Sequence, residues 1–140
     1  MDIRISRDLL ERILADAAAG QGEERCGLLL GEAGHIRDVR FAANVALDPT
    51  RHFELDPGIL LATYKAARAG GARILGHYHS HPSGTVIPSA ADGQCAAPDG
   101  SLWLIVAGMQ AALWRAGHTG ELHGRFQAES LEIYDDLTLA

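Results

Sequence analysis

The stretch Gly76-His77-Tyr78-His79-Ser80-His81-Pro82-Ser83-Gly84-Thr85-Val86-Ile87-Pro88-Ser89-Ala90-Ala91-Asp92 decides how the chain is read. Its first half reads as a strand, whose successive side chains point to opposite faces, so His77, His79 and His81 share one face. Pro82 cannot extend a sheet ladder, which ends the strand beside His81 and leaves His77 one step deeper in the sheet. Two imidazoles at an open strand end, with the Asp92 carboxylate brought back by a turn, make a good zinc donor set. A lone buried histidine is more often a hydrogen-bonded core residue. Here acid and hydroxyl partners lie within the same short stretch, so His79, His81 and Asp92 are the expected ligands. Three protein ligands leave a fourth tetrahedral position open, the mark of a catalytic site, where zinc lowers the pKa of water to about 7.

The end of the stretch has a second reading. Ser89-Ala90-Ala91-Asp92 has the spacing of a capping box, in which the serine caps a helix and the acid reaches back to its backbone. The two readings are compatible for Ser89, whose hydroxyl can still face the site. For Asp92 they compete, because a metal-bound carboxylate is expected to close the box poorly.

Working outward, Arg73 to His79 is the strand that delivers the histidines, and a short helix is expected from Ser89. Upstream, Asp56-Pro57 starts a helix, with the acid as N-cap and proline at the first helical position. Ile59, Leu60, Tyr64 and Ala67 form its expected apolar face, and Gly70-Gly71 ends it. His52 to Leu55 is a short strand candidate, after the loop chemistry of Asn44 to Arg51. Cys26 to Gly31 reads as a buried strand led in by Glu23 and Glu24, returning through Glu32-Ala33-Gly34 into a strand over His35 to Phe41. At the N-terminus, Ser6 caps a helix carrying Leu9, Leu10, Ile13, Leu14 and Ala17, which Gly20 ends in the left-handed conformation. Downstream, strands are expected at Ser101 to Ala107, Ala111 to Arg115 and Glu121 to Phe126. Residues 129–140 form an extra strand, a docked tail or a mobile one. Helices interleaved with hairpin-connected strands predict an α/β fold, with residues 1–140 forming a single domain whose mixed β-sheet is flanked by helices.

The bulk composition agrees. A hydrophobic share of 47% with 21% charged residues is ordinary for a globular protein rather than a disordered one. The net charge of -6 argues against nucleic acid or an acidic membrane surface as the partner. Cys26 and Cys95 are too few for a disulfide framework, and the charged N-terminus lacks a signal peptide's apolar run. The most apolar stretch, Leu102 to Trp114, falls well short of the roughly 20 residues a membrane helix needs. A cytoplasmic location is expected.

Hydrolysis at such a site also needs a general base, and Glu24 beside a buried strand is the best candidate. By itself a Glu-Glu-Arg run reads more simply as a solvated loop. The ordered set of Glu24-Arg25-Cys26-Gly27-Leu28-Leu29-Leu30-Gly31, then His79-Ser80-His81-Pro82, then Ser89 and Asp92, decides otherwise. It resembles the JAMM family, the MPN-plus or JAB-domain zinc metallopeptidases, whose signature is a glutamate on the first strand, H-x-H-P, a spacer and S-x-x-D. The resemblance spans roughly residues 1–127, and its specificity lies in the composite, not in any one part.

The resemblance implies that His79, His81 and Asp92 bind zinc, that Glu24 is the general base toward water, and that Ser89 donates to the oxyanion. It further implies a fold of the cytidine-deaminase-like kind. The implied reaction is hydrolysis of an amide or isopeptide bond after the C-terminal Gly-Gly of a ubiquitin-like protein, in the compact prokaryotic branch a sulfur-carrier protein. A substrate tail of this kind would lie extended along a sheet edge. His77 departs from the large aromatic residue often found at its position, which opens a role as an alternative ligand or proton relay. Two other readings compete: a non-catalytic MPN scaffold, which typically lacks the metal ligands, and a RadC-like protein of DNA metabolism, which the acidic charge and the glutamate-strand motif disfavour. The H-x-E and P-C-x-x-C ligands of a zinc deaminase are absent.

Overall fold

The computed structural model describes residues 2–135. Along them run β1 (Ile3–Ser6), α1 (Arg7–Ala18), β2 (Cys26–Glu32), β3 (His35–Ala42), α2 (Pro57–Arg68), β4 (Arg73–Ser80), α3 (Ala90–Cys95), β5 (Leu102–Ala107), β6 (Gln110–Ala116), β7 (Phe126–Glu129) and β8 (Leu131–Tyr134). The strands form one mixed sheet in the order β7-β6-β5-β4-β2-β3-β1-β8. β4 lies at its centre, antiparallel to β2 and parallel to β5.

The outermost strands, β7 and β8, are separated in sequence by Ser130 alone. One residue cannot cross a flat sheet, so the sheet curls until its two edges meet at Ser130. That residue's carbonyl accepts the Ile3 N–H at 2.9 Å as the chain leaves β6 and joins β1. Curling removes most of the exposed ladder edge that an open sheet presents. The part of residues 129–140 that is described therefore completes the sheet. Residues 136–140 lie outside the described residues.

Alternation along the strands gives the sheet two different faces. Ile5, Leu29, Ile36, Tyr78, Leu104 and Val106 bury one face against Leu9, Leu10 and Ile13 of α1. The other carries a smaller aromatic cluster, in which Trp103, Ala116 and Phe126 pack with Phe53, Trp114 and Leu122. Tyr78 thus faces α1 while His77 and His79 stack among Phe53 and Trp103 on the other side. Burying each large apolar side chain contributes roughly 1.5–3 kcal/mol, so both faces resist rotation of β4 about its axis.

Several local expectations change. The helix α1 is capped by Ser6, whose Oγ accepts from Leu9 N at 3.1 Å. Its left-handed exit, however, falls on Gln21 (φ 53°) and Gly22 (φ 92°) rather than on Gly20. The segment Ile3–Ser6, unassigned from sequence, is a strand because β3 and β8 flank it. His52 to Leu55 forms only one bridge, Asn44 with Leu55, in an otherwise irregular loop. The last predicted strand lies later than expected. Residues 121–125 turn, with His123 (φ 56°) and Gly124 (φ 64°) left-handed, and pairing with β6 begins at Phe126. On α2, Thr63 is the buried residue while Ile59, Leu60 and Ala67 are half-buried and Tyr64 is exposed.

Candidate metal centre

The register between β2 and β4 assembles the site. Cys26 stands opposite His79, and continuing that antiparallel register by two residues sets Glu24 opposite His81. Two hydrogen bonds lock the extension: Arg25 N donates to Ser80 Oγ at 2.8 Å, and Ser80 N donates to Arg25 O at 3.0 Å. Behind them Asp16 of α1 accepts from both the Arg25 guanidinium, at 2.7 Å, and the buried Tyr78 hydroxyl. The backbone of Glu24 is held from the other side by the loop after β3. Its N–H donates to Pro49 O at 2.7 Å, and its carbonyl accepts from Asn44 Nδ2 at 2.8 Å.

Three ligand-type atoms converge at the end of β4. His79 Nε2 lies 3.0 Å from His81 Nε2 and 3.4 Å from Asp92 Oδ2. His81 Nε2 lies 3.1 Å from the same oxygen. A tetrahedral ion with bonds of about 2.0–2.1 Å places its ligand atoms roughly 3.3 Å apart, so the spacing fits one zinc-sized ion. All three side chains are buried. Among the described residues, Glu24, His79 and His81 also form a group whose donor atoms lie within 4.8 Å of one another.

Each imidazole is held by its second nitrogen. His81 Nδ1 is 3.0 Å from the Thr85 carbonyl and must carry the proton there, which leaves Nε2 with its lone pair toward the site. His79 Nδ1 faces His77 Nε2 at 3.2 Å. Burial lowers the pKa of His79 against the opposing hydrogen bond and charge of Asp92, and lowers that of His77 further still. At His81 burial is outweighed by hydrogen bonding to Asp92 and by the charges of Asp92 and Glu24, so its pKa rises. Asp92 likewise ionises well below the usual carboxylate range, because the hydrogen bonds of both histidines overcome its burial.

The geometry of Asp92 accommodates both readings. Ser89 Oγ accepts from Asp92 N at 3.0 Å, and Asp92 Oδ2 accepts from Ser89 N at 2.9 Å, so the capping box is closed. The same Oδ2 faces both histidines. A carboxylate oxygen has two lone pairs, so closing the box still leaves one toward the histidines. Ser89 Oγ caps with a lone pair, so its O–H is left to donate into the groove that the residue lines.

Glu24 is 5% exposed, and among the described residues its Oε1 is the buried side-chain oxygen or nitrogen without a hydrogen-bond partner. Burial pushes its carboxyl up to about 7, opposed by His81 and aided by Asp92. An orphaned acceptor beside a cluster of donor atoms is what a site built to receive a hydrated cation presents. It opens on a groove of about 440 Å3 walled by Thr50 and Arg51 on one side and by Pro82, Ser83, Thr85 and Ile87 on the other.

Other supporting residues escaped the sequence reading. Trp114 Nε1 donates to Val86 O at 3.1 Å and His123 Nε2 to Pro88 O at 2.9 Å, pinning the loop between His81 and Ser89 from β6 and the turn after it. Asn44, which ties Glu24 to its loop, sits in turn chemistry where side-chain bonding to backbone is common, and that was its one available signal. Cys26 and Cys95 are both free thiols, Cys26 buried and Cys95 exposed.

Residues 6–117 match the family model described as prokaryotic homologs of the JAB domain. The chain belongs to this family. A protein of Haloferax volcanii named desampylase is 32% identical over 109 residues, covering 74% of this chain and 78% of its own length. A probable TtuB-protein conjugate cleaving protease of Thermus thermophilus is 34% identical over 88 residues, covering 63% of this chain and 59% of that protein. A solution structure from Desulfitobacterium hafniense superimposes with a TM-score of 0.79 at 25% identity, covering 96% and 94% of the two chains. The expected JAB/MPN fold and the JAMM kinship therefore hold. Around the candidate site β4 is flanked on both sides, by β2 and β5, and the site opens on a groove lined by loop residues. No helix among the described residues is long and apolar enough to cross a membrane.

Proposed function

We propose that this JAMM-type isopeptidase is a zinc-dependent metallopeptidase that cleaves the amide or isopeptide bond after the C-terminal Gly-Gly of a ubiquitin-like protein, of the sulfur-carrier kind, in the cytoplasm. The observation that carries the reading is the unpartnered Glu24 carboxyl beside the converging nitrogens of His79 and His81 and the Asp92 oxygen. The names of the curated relatives support the substrate class.

His79 Nε2, His81 Nε2 and Asp92 Oδ2 would hold the zinc. Zinc, when bound, supplies a Lewis acid that polarises the scissile carbonyl and acidifies water. Glu24 orients the attacking water and takes its proton at Oε1, then returns it to the departing amine. A carboxyl with a pKa of about 7 is suited to both directions of transfer near neutral pH. Ser89 Oγ–H donates to the oxygen on which negative charge develops. The two loop walls of the groove receive the extended tail, and glycine residues, having no side chain, let its carbonyl approach the buried donor cluster closely.

The test is hydrolysis of a carrier-protein conjugate joined through Gly-Gly, with the metal content of the same preparation measured. Zinc at one per chain, with cleavage that Glu24→Ala abolishes, is the expected result. Full cleavage by Glu24→Ala, or a chelator-free preparation that holds no zinc, would refute the assignment.

A further inference from the structure

We propose that His77 is a positioning residue for the metal centre: its Nε2 accepts the Nδ1–H of His79 and thereby fixes the tautomer and ring plane in which His79 presents Nε2 to zinc. The contact is 3.2 Å, between two side chains that are both more than nine-tenths buried. Its direction follows from what His79 must do. If His77 donated to His79 Nδ1, the proton of a neutral His79 ring would sit on Nε2, and the lone pair facing His81 and Asp92 would be lost. His79 therefore carries its proton on Nδ1, His77 accepts with Nε2, and the proton of His77 lies on its own Nδ1.

Among the described residues, His77 Nε2 is the acceptor that faces His79 Nδ1. His79 is 0% exposed, so water does not reach Nδ1. Phe53 stacks on its ring at 4.3 Å and an angle of 17°, and the same Phe53 lies 4.7 Å from the His77 ring. Trp103 meets His77 edge-on at 4.4 Å. These rings hold the two imidazoles nearly parallel, with 20° between their planes. They supply no acceptor of their own. Metal-bound histidines almost always give their second N–H to a carboxylate, a carbonyl or water. His81 does so with the Thr85 carbonyl, whereas His79 uses a third histidine. His77 is thereby neither a ligand nor a core filler. It also lines a separate cavity of about 430 Å3 at the other end of β4, bounded by Tyr64, Arg73 and Ser101, so the ring spans from the ligand to that second space.

The reading rests on His79 being a ligand, and the experiment separates the two ideas. Zinc affinity is measured by chelator competition for the parent, His77→Gln and His77→Asn, with cobalt(II) absorption spectra recorded alongside. The Gln amide oxygen reaches the place of Nε2, and the shorter Asn amide does not. Outer partners of this kind typically contribute about 10–100-fold in metal affinity. The expected result is a fall of that size in His77→Asn with an altered cobalt spectrum, and parent-like affinity and spectrum in His77→Gln. Apo melting temperatures confirm that both variants are folded. Proton–nitrogen spectra of the zinc-loaded parent, labelled at histidine, should show His77 protonated at Nδ1 with a bare Nε2. A His77 ring protonated at Nε2, equal affinity in parent and His77→Asn, or loss in His77→Gln as deep as in His77→Asn would each overturn the proposal. A parent that binds no zinc at all would instead overturn the ligand assignment beneath it.

Discussion

Replacing Glu24 by glutamine should make the metal-free protein more stable at pH 8 while removing its activity. In the folded chain the Glu24 carboxyl is buried with an unpartnered Oε1, and burial raises its pKa from the ordinary 4.5 to about 7. The folded state therefore holds this proton more tightly than the unfolded one. Between pH 4.5 and 7 the native state binds more protons than the unfolded state, so stability falls as pH rises through that window. The fully developed effect would be roughly 3 kcal/mol for a shift of this size. The groove admits water beside the carboxyl, and screening reduces the expected gain in Glu24→Gln to roughly 1–2 kcal/mol. The assay is urea unfolding with a chelator present, at pH 5 and pH 8. Glu24→Gln should exceed the parent at pH 8, with the difference closing toward pH 5. Equal stability at pH 8, or a gain of the same size at both pH values, would refute the claim that the folded protein stores an uncompensated charge here.

Ser89→Ala should lower kcat by about 100- to 1,000-fold with zinc content and KM little changed, because the lost O–H acts only as charge develops on the oxygen. The same change removes an N-cap, so a loss of about 1 kcal/mol in stability should accompany it. Asp92→Asn keeps an acceptor for the Ser89 N–H but removes the charge, so the fold should persist while zinc affinity, read by chelator competition, falls by more than about 100-fold. Gly76→Ala should be severely destabilising, by about 3 kcal/mol or more in chemical denaturation, because its Cβ would stand 1.9 Å from the Leu102 carbonyl oxygen in the β4–β5 ladder.

The candidate site was legible in the sequence because the pattern that points to it is local. Alternation along β4 put His77, His79 and His81 on one face, and Pro82 marked where the strand opened. The start of α2 was equally plain, since Asp56 and Pro57 make a cap whose geometry needs no distant partner. The errors fell where tertiary partners decide. His52 to Leu55 has strand-forming residues but finds only the Asn44 bridge to pair with. The final strand was displaced because the turn at His123 and Gly124 takes up residues that look suitable for pairing.

By itself the sequence determined the order of the motif, the helix starts and the two-faced character of β4. These depend on neighbours within a few residues, where propensity and periodicity act. Only the tertiary structure decided that Glu24 stands opposite His81, because that juxtaposition depends on the register between strands separated by a long stretch of chain. It also decided that the Asp92 oxygen closing the helix cap faces both histidines, and that the two outermost strands run on from one another at Ser130. The role of His77 belongs to the same class. A histidine one step deeper on a strand is a ligand, a relay or filler until the orientation of two buried rings shows which nitrogen faces which, and that orientation is set by Phe53 and Trp103 arriving from elsewhere in the chain.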